Sequence, residues 1–428
     1  MLNLETISTI LDDFGGAPVS VQAEHCLNAR HKDAGCTLCA DACPTDAIEL
    51  QLGRPRLALD RCVSCGLCLH HCPTDVFTQR GAPEMSLAQT ISLISDSALS
   101  LVCPQHGGPA SAYAPVTTVV RHKRCLASLS VSRLLELADS GRRIIWLDDS
   151  PCAECPIGRA QPAIAQTAKT TNYLLQAFGR PPAIRTHLSN SDELHDEPNP
   201  RPVVDGDRPE VSRRSFFGAL GQLTRRTAAT AIVEALPAPI PGGTVPVDQR
   251  LPHWIPATRE RLYSQLKHLG AAVDVPIKTA GIPFADVNVD GDACSACALC
   301  ARFCPTGALS FVANTDSFVL YFRSTTCIDC EICAVACPED AVSFGPRLEA
   351  VALIDNERRP LVAGHLAPCV GCHEPTAAPI AEAVEPRCYV CRQGTDPVSP
   401  LRDSAGLIAD LVQRLPDGNS PIDDRLED

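Results

Sequence analysis

The sequence has few of the bulky residues that usually fill a large apolar core. Aromatic residues make up 4% of its 428 residues, and it contains two methionines and two tryptophans. It also lacks any apolar run approaching the ~18 residues that a membrane-spanning helix needs. The N-terminal stretch MLNLETISTILDDFGG has neither the basic start nor the long apolar segment of a secretory signal. These absences predict no membrane span and a cytoplasmic location.

An excess of positive charge and the common catalytic motifs are missing too. The net charge is −13, whereas a nucleic-acid-binding protein carries a basic stripe, so no nucleic-acid partner is predicted. No G-x-G-x-x-G follows a candidate strand, and the sequence shows neither a P-loop nor a convincing set of residues around a nucleophile. We therefore assign no catalytic residue and expect catalysis to belong to a partner.

Cysteine, by contrast, is abundant. The chain has 24 cysteines, which fall into six groups of four with none left over. In a reducing compartment, such groups indicate metal ligands and not a disulfide framework. In chain order the groups are Cys26, Cys36, Cys39 and Cys43; Cys62, Cys65, Cys68 and Cys72; Cys103, Cys125, Cys152 and Cys155; Cys294, Cys297, Cys300 and Cys304; Cys327, Cys330, Cys333 and Cys337; and Cys369, Cys372, Cys388 and Cys391.

The first, second, fourth and fifth groups indicate iron–sulfur clusters. Three of them have the spacing C-x2-C-x2-C-x3-C followed by proline, which suits a 4Fe–4S cluster better than the paired knuckles of a zinc site. The residues after the fourth cysteine repeat as CPTDAI, CPTDVF, CPTGAL and CPEDAV. We expect this cysteine to begin a short helix, with proline in its first turn, that leads to an apolar strand.

Segments 26–77 and 294–344 each resemble a bacterial two-cluster ferredoxin, and together they cover roughly a quarter of the chain. The resemblance implies four 4Fe–4S clusters and an exchange of the fourth cysteine between the two motifs of each pair. The implied ligand sets are Cys26, Cys36, Cys39 and Cys72; Cys62, Cys65, Cys68 and Cys43; Cys294, Cys297, Cys300 and Cys337; and Cys327, Cys330, Cys333 and Cys304.

The first group departs from the pattern, because nine residues, LNARHKDAG, separate Cys26 from Cys36 where two are usual. The insertion contains Arg30, His31 and Lys32. We interpret it as an enlarged surface loop that still delivers Cys26. The alternative is a docking loop for an acidic partner.

Residues 97–180 show an α/β pattern. SALSLVCP predicts a strand that ends at Cys103, a helix follows Cys125, and a second strand, Ile144 to Leu147, ends near Cys152. Ligands on α/β sheets gather at the carboxyl ends of strands, so Cys103, Cys125, Cys152 and Cys155 are predicted to form one metal site. Its occupant stays open between a 2Fe–2S cluster, a 4Fe–4S cluster and zinc; alternatively, Cys103 and Cys125 are small buried apolar residues.

The layout of residues 97–180 loosely resembles the small iron–sulfur subunit that links hydrogenases or formate dehydrogenases to heterodisulfide reductase.

The C-terminal group has a different spacing, C-x2-C-x15-C-x2-C, which is typical of a zinc ribbon and predicts one structural zinc. A rubredoxin-like iron site is the alternative there.

A polar, Pro-rich linker separates the two ferredoxin-like segments. SNSDELHDEPNPRPVVDGDRPE is predicted to be disordered, and the prolines of ALPAPIPGGTVPVDQRLPHWIP favour an extended tether that lets the modules move. Between them, VSRRSFFGALG (Val211 to Gly221) is similar to a twin-arginine export signal. Its internal position and the later Arg225 and Arg226 favour an amphipathic helix instead. A docking helix for a partner subunit is the functional alternative.

The predicted fold class is α+β, with two ferredoxin-like two-cluster modules, a small α/β domain between them and a zinc-ribbon-like segment. The predicted boundaries are 1–85 for the first module, 95–185 for the α/β domain, 186–258 for the linker with its Arg-rich helix, 259–350 for the second module, 351–400 for the zinc-ribbon-like segment and 401–428 for a helix and acidic tail.

Four or five clusters in one chain predict an iron–sulfur electron-transfer protein that relays single electrons. Its predicted partner is a redox protein or a subunit of an oxidoreductase complex, such as a hydrogenase, a dehydrogenase or a heterodisulfide-reductase-like complex. Two alternatives stay open: an iron–sulfur oxidoreductase with its own catalytic site, and a redox-sensing or assembly protein.

Overall fold

The computed structural model describes residues 19–79, 83–106, 111–112, 115–193, 199–206, 251–270, 276–379 and 384–392. These residues form both helices and strands, as a mixed α+β chain requires. The predicted Arg-rich helix at Val211 to Gly221 and the predicted C-terminal helix and tail at 401–428 lie outside the described residues.

The first cysteine-rich region is built from two antiparallel strand pairs and three short helices. Strand β1 pairs with β4, and β2 pairs with β3 through a turn at Leu52 and Gly53. Both turn residues have positive φ, 50° and 76°, which is the geometry of a tight hairpin that matches the strand twist. The elements are β1 (Val19–Val21), α1 (Leu27–Arg30), α2 (Leu38–Ala42), β2 (Ile48–Gln51), β3 (Arg54–Leu57), α3 (Cys68–His71) and β4 (Phe77–Gln79).

A parallel sheet with the strand order β11-β7-β5-β8-β9 follows. Its central strand β5 is buried along its whole length, as expected for a parallel strand covered on both faces. The two strands predicted here, one ending at Cys103 and one at Ile144 to Leu147, are confirmed. The elements are α4 (Pro83–Ser92), β5 (Ala98–Val102), β6 (Ser111–Ala112), β7 (Thr118–Arg121), α5 (Val131–Leu137), β8 (Ile144–Leu147), α6 (Gln161–Ala177), β9 (Ile184–Thr186), β10 (Asn199–Pro200) and β11 (Val203–Asp205).

The edge strand β11 comes from the linker that its composition predicted to be disordered. That prediction is wrong for Val203–Asp205, which pairs in parallel with β7. The adjoining Gly206 donates its N–H to the Arg121 carbonyl at 2.8 Å and accepts a bond from the Thr90 hydroxyl at 2.8 Å. An open sheet edge offers backbone hydrogen-bond partners to any segment that reaches it. Amino-acid composition does not predict such pairing.

The described chain resumes at residue 251, and the helix that follows, α7, packs into the core of the parallel sheet through Leu262, Leu266 and Leu269. The second cysteine-rich region then repeats the strand-and-short-helix plan of the first, and β18 extends its β14–β15 hairpin. The elements are α7 (Ala257–Leu269), β12 (Pro276–Lys278), β13 (Asp286–Val289), α8 (Leu299–Phe303), β14 (Leu309–Ala313), β15 (Ser317–Phe322), α9 (Ile332–Val335), β16 (Val342–Gly345), β17 (Arg347–Glu349), β18 (Arg359–Pro368), β19 (Pro375–Ala377) and α10 (Tyr389–Arg392).

The Cys-Pro steps end helices, so the prediction that the fourth cysteine begins one is wrong. Cys43, Cys72 and Cys304 each follow the last residue of a short helix directly, and Cys337 follows one residue later. Proline has no N–H to continue the helical ladder and its ring clashes with the preceding turn, so it marks the stop.

Candidate metal centres

The cysteine loops owe their shape to paired left-handed residues. In each of the three C-x2-C-x2-C loops the central cysteine lies between two residues of positive φ, so that the backbone curls around it. Such curled backbone forms a concave nest for anions, including iron–sulfur clusters. The flanking residues are Ser64 and Gly66 around Cys65, Ala296 and Ala298 around Cys297, and Asp329 and Glu331 around Cys330.

A second repeated turn follows each Cys-Pro step. The third residue after the cysteine again has positive φ, and glycine or aspartate, which tolerate this geometry, occupies it. The turn aims the next N–H at the sulfur: Ala47 donates to Cys43 Sγ at 3.2 Å and Ala341 to Cys337 Sγ at 3.4 Å. The residues of positive φ are Asp46, Asp75, Gly307 and Asp340.

The folded chain groups the cysteines across motifs, as the ferredoxin resemblance implies. Three small cavities are each lined by three cysteines of one motif and the fourth of its neighbour. Cys330 has neighbours from both motifs: burial raises its pKa, and the nearby thiols of Cys327 and Cys304 raise it further. The three cavities contain Cys294, Cys297, Cys300 and Cys337; Cys43, Cys62, Cys65 and Cys68; and Cys26, Cys36, Cys39 and Cys72.

Four thiols in such a cavity call for a cationic occupant. Burial, followed by the charges of neighbouring thiols, raises the pKa of Cys39 and of Cys68 to about 12. Metal binding stabilises the thiolate form, which these surroundings otherwise disfavour. A 4Fe–4S cluster fits the cavities, because its four irons bind four thiolates and its sulfides accept hydrogen bonds.

Two buried arginines, which the sequence reasoning missed, support that fit. Arg124 is 8% exposed and Arg259 is 4% exposed, and in each the Nη1 has no hydrogen-bond partner among the described residues. The thiols of Cys65 and Cys327, respectively, are among the groups that raise the arginine pKa against the lowering effect of burial. A net anionic cluster beside these thiols would add to the negative charge that Glu84 and Asp329 place near Arg124 and Arg259, respectively. The position of Arg124 next to Cys125 is a sequence signal that could have indicated its role, whereas the sequence around Arg259 gives no such signal.

The middle quartet lies at the carboxyl ends of the parallel strands. Cys103 directly follows β5, Cys125 comes after β7, and Cys152 and Cys155 come after β8. Burial, and then Cys125, Asp149 and the other two thiols, raise the pKa of Cys152 to about 12. The fold therefore brings these four thiols together at one edge of the sheet.

Sequence reasoning also missed a polar group beside the middle quartet. Asp148 is 4% exposed and lies between two histidines, with His106 Nε2 at 2.9 Å and His187 Nδ1 at 3.3 Å. Asp148 directly follows β8 and His187 directly follows β9. Their positions at adjacent strand ends are the signal that would have found them.

The C-terminal quartet is packed more tightly than the others. The sulfurs of Cys369, Cys372, Cys388 and Cys391 lie within 4.8 Å of one another, and in the described ranges no other group of cysteine, histidine and acidic residues is as compact. Four sulfurs each about 2.3 Å from one ion would be spaced in this way. Gly371 allows the approach, because a Cβ there would lie 3.0 Å from Cys391 Sγ. The geometry suits a single metal ion, whereas the wider quartets suit clusters.

The insertion between Cys26 and Cys36 is folded and partly buried, although Lys32 and Asp33 remain exposed at its surface. Its first residues form α1, and Asn28 closes the remainder by bonding the Cys36 backbone at N–H and at C=O, both at 2.8 Å. Arg30 is 9% exposed and contacts the second cysteine-rich region. The surface-loop interpretation is therefore wrong for Arg30, because its charge is used inside the molecule.

Comparison with known proteins agrees with this geometry. Residues 33–76 and 293–341 match the family model of the 4Fe–4S dicluster domain. The chain is similar to that family in these two segments, and iron–sulfur electron transfer is the function they indicate. Cys26 precedes the first match, so its place beside Cys36, Cys39 and Cys72 comes from the structure. No curated protein matches the chain. Among the described helices, none is long and apolar enough to cross a membrane.

Proposed function

We propose that the chain relays single electrons through five iron–sulfur clusters to or from a partner oxidoreductase. The observation that carries this proposal is the exchange of the fourth cysteine in both dicluster regions. Because each motif contributes its fourth cysteine to its neighbour's group of thiols, the two sites of a pair lie side by side. A bound cluster supplies reversible uptake of one electron, and the protein's part is to hold the sites close and set their potentials.

The middle quartet is proposed to hold the fifth cluster. Its sulfurs do not meet the compact spacing that marks the C-terminal quartet, which disfavours a single zinc ion. The middle quartet also lies close to the first dicluster region: burial raises the pKa of Cys125 to about 11, and the nearby thiols of Cys65, Cys103 and Cys155 add to this increase. A site at the sheet edge next to Cys65 extends the line of clusters into the α/β layer.

The C-terminal quartet is proposed to hold one structural zinc in a zinc-ribbon-like segment. Thr376 Oγ1 and Ala377 N–H both donate to the Ser295 carbonyl, at 3.0 and 3.1 Å. Ser295 lies between Cys294 and Cys297, in the first cysteine loop of the second dicluster region. An ordered C-terminal segment therefore covers that loop, and a zinc ion would hold the cover in place.

The proposed partner is a hydrogenase, a dehydrogenase or a heterodisulfide-reductase-like complex, since a relay needs a separate site of chemistry. We expect the chain to work in a reducing compartment such as the cytoplasm, where thiols stay available for metals.

Metal analysis of anaerobically purified protein tests the proposal. We expect about twenty irons, a matching amount of acid-labile sulfide and one zinc per chain, with EPR signals of reduced clusters after dithionite. A count of about sixteen irons would mean that the middle quartet holds no cluster and that electrons pass through four clusters only. Several zinc ions, little iron and no EPR signal would overturn the electron-transfer function itself.

A further inference from the structure

We infer that Trp254 and Arg30 form the electron crossing between the two dicluster regions, so that their clusters make one path inside a single chain. This inference rests on the proposed function. Both residues lie where the turns after two exchanged cysteines, Cys72 and Cys304, face each other. The chain segment that carries Trp254, at 251–256, lies between the two regions just before α7.

Trp254 is hydrogen-bonded to both regions at once. Its backbone N–H donates to the Pro305 carbonyl at 3.0 Å, and its indole Nε1–H donates to the Thr74 carbonyl at 3.2 Å. These acceptors belong to the equivalent Cys-Pro-Thr turns of the two regions. The indole also stacks on His25, the residue before Cys26, with ring centroids 4.5 Å apart. Trp254 therefore links two cysteine sites, with its side chain on the first region and its backbone N–H on the second.

Arg30 brings a buried positive charge to the same place. Its Nε donates to the Phe303 carbonyl at 3.2 Å, and its Nη2 donates to the Cys304 carbonyl at 3.2 Å and to the Arg302 carbonyl at 3.3 Å. These carbonyls form the C-terminal end of α8, where a cation is favoured. Its guanidinium carbon also lies 5.6 Å from the centre of the Trp254 ring. Arg30 itself is the last residue of α1, which starts directly after Cys26.

This arrangement provides a path for the electron and places a fixed positive charge beside that path. The route consists of packed, hydrogen-bonded protein from the Cys72 turn through Trp254 to the Cys304 turn, with no bond made or broken. A single electron that crosses leaves the donor site oxidised by one and the acceptor site reduced by one. A fixed positive charge between the two sites stabilises added negative charge on either side. Arg30 is thus a positioning and potential-setting residue, and Trp254 is the bridge.

Redox titration of the loaded full-length chain by EPR tests the role of Arg30. Arg30→Gln should make reduction of the clusters flanking the crossing about tenfold less favourable, which corresponds to about 59 mV for one electron. Arg30→Lys should keep most of the wild-type potential. The matched control is Arg159→Gln, which removes an exposed arginine paired with Asp46 in the turn after Cys43, at 3.1 Å, and should shift no potential.

Freeze-quench EPR after partial reduction by a photoexcited flavin tests the bridge. Trp254→Ala should slow redistribution of electrons between the two cluster pairs by about tenfold or more, equivalent to at least about 1.4 kcal/mol in barrier. Trp254→Phe keeps a ring and should recover much of the rate. Iron content is measured in every sample. If Trp254→Ala loses iron, the test rests on Trp254→Phe, which lacks the indole N–H donor. Electron redistribution in Trp254→Phe should still be slower than in the wild type.

The inferred crossing would be overturned if the iron-replete tryptophan variants redistributed electrons at the wild-type rate. Equal cluster potentials in Arg30→Gln and Arg159→Gln would also overturn it. Such a result leaves the proposed function intact, provided that the wild-type chain holds its iron and its clusters are reducible. A wild-type chain without reducible clusters would instead overturn the proposed function.

Discussion

The two dicluster regions build the same kind of site from different lengths of chain. The second region uses Cys294, Cys297 and Cys300 at spacings of two residues, whereas the first inserts nine residues after Cys26. Even so, Cys26 lines a cavity with its three companions, as Cys294 does. The added residues form α1, and α1 supplies Arg30 to the second region. The comparison shows that four cysteines can line one cavity even when the first spacer is longer. The additional residues of that spacer provide a contact between the two regions.

The loops also differ in the residues that adopt left-handed geometry. After the central cysteine the first region has Gly66 at a φ of 85°, while the second has Ala298 at 60° and Glu331 at 56°. In the first motif Thr37, at the same place, has a φ of −122°. The long insertion therefore relaxes one of the two backbone constraints that the short spacers impose.

The largest expected effect comes from removing equivalent cysteines in the two regions. Cys39→Ala and Cys300→Ala should each cost about four irons per chain and leave the EPR signals of the other region in place. Iron analysis and EPR measure this outcome. The control is Val63→Ala, an exposed residue within a cysteine loop, which should keep all the iron. Full iron retention in either cysteine variant would mean that the assigned thiol is not a ligand.

The next effect concerns the insertion alone. Asn28→Ala removes side-chain bonds to the Cys36 N–H and carbonyl and to the Gly53 carbonyl, the last at 2.6 Å. At about 1 kcal/mol each, the loss should lower the free energy of unfolding by about 2–3 kcal/mol. Denaturation followed by the visible absorption of the clusters would show an earlier loss in the first region. Simultaneous loss of both regions at the wild-type midpoint would contradict a closing role for Asn28.

Two effects of opposite sign, the larger of them comparable with that of Asn28→Ala, should follow from exchanging the left-handed residues. Gly66→Ala places a Cβ 2.7 Å from Ser128 Cβ in a backbone of positive φ, so it should destabilise the protein by about 2–3 kcal/mol. Ala298→Gly relieves the equivalent strain and should stabilise by about 0.5–1 kcal/mol. Thermal unfolding of the two loaded variants measures the contrast. Equal shifts in the same direction would show that φ at these positions does not limit stability.

The smallest effect concerns the hydroxyls beside the exchanged cysteines. Thr74 Oγ1 lies 3.4 Å from Cys72 Sγ, and Thr306 Oγ1 lies 3.8 Å from Cys304 Sγ, whereas Glu339 occupies this place after Cys337. A hydroxyl that donates to sulfur favours the reduced, more negative site. Thr74→Val should therefore lower one midpoint potential by about 40 mV, the equivalent of one net hydrogen bond. Thr306→Val, at the longer distance, should change its potential less, and EPR titration would reveal the reverse order if distance does not matter.

Much of the local structure follows from short patterns in the sequence. The strand before Cys103 and the strand at Ile144 to Leu147 could be read from apolar runs, because a buried parallel strand needs nothing else. The Cys-Pro steps are ambiguous in the sequence, since proline fits both the first turn of a helix and the position just after its end. Only the run of residues before each cysteine, folded into a short helix, decides between the two.

The cysteine spacing by itself determined that this chain carries clusters, because three thiols two residues apart can reach one compact core with little help from the rest of the protein. The tertiary structure alone decided where the buried charges lie. Arg30 sits in a polar, basic stretch that resembles a solvated loop, and it became buried because α1 meets the end of α8, far away in sequence. Likewise, Val203–Asp205 became a strand because β7 presented an open edge. Contacts between distant segments depend on which surfaces meet after folding, and the local pattern of residues does not encode that.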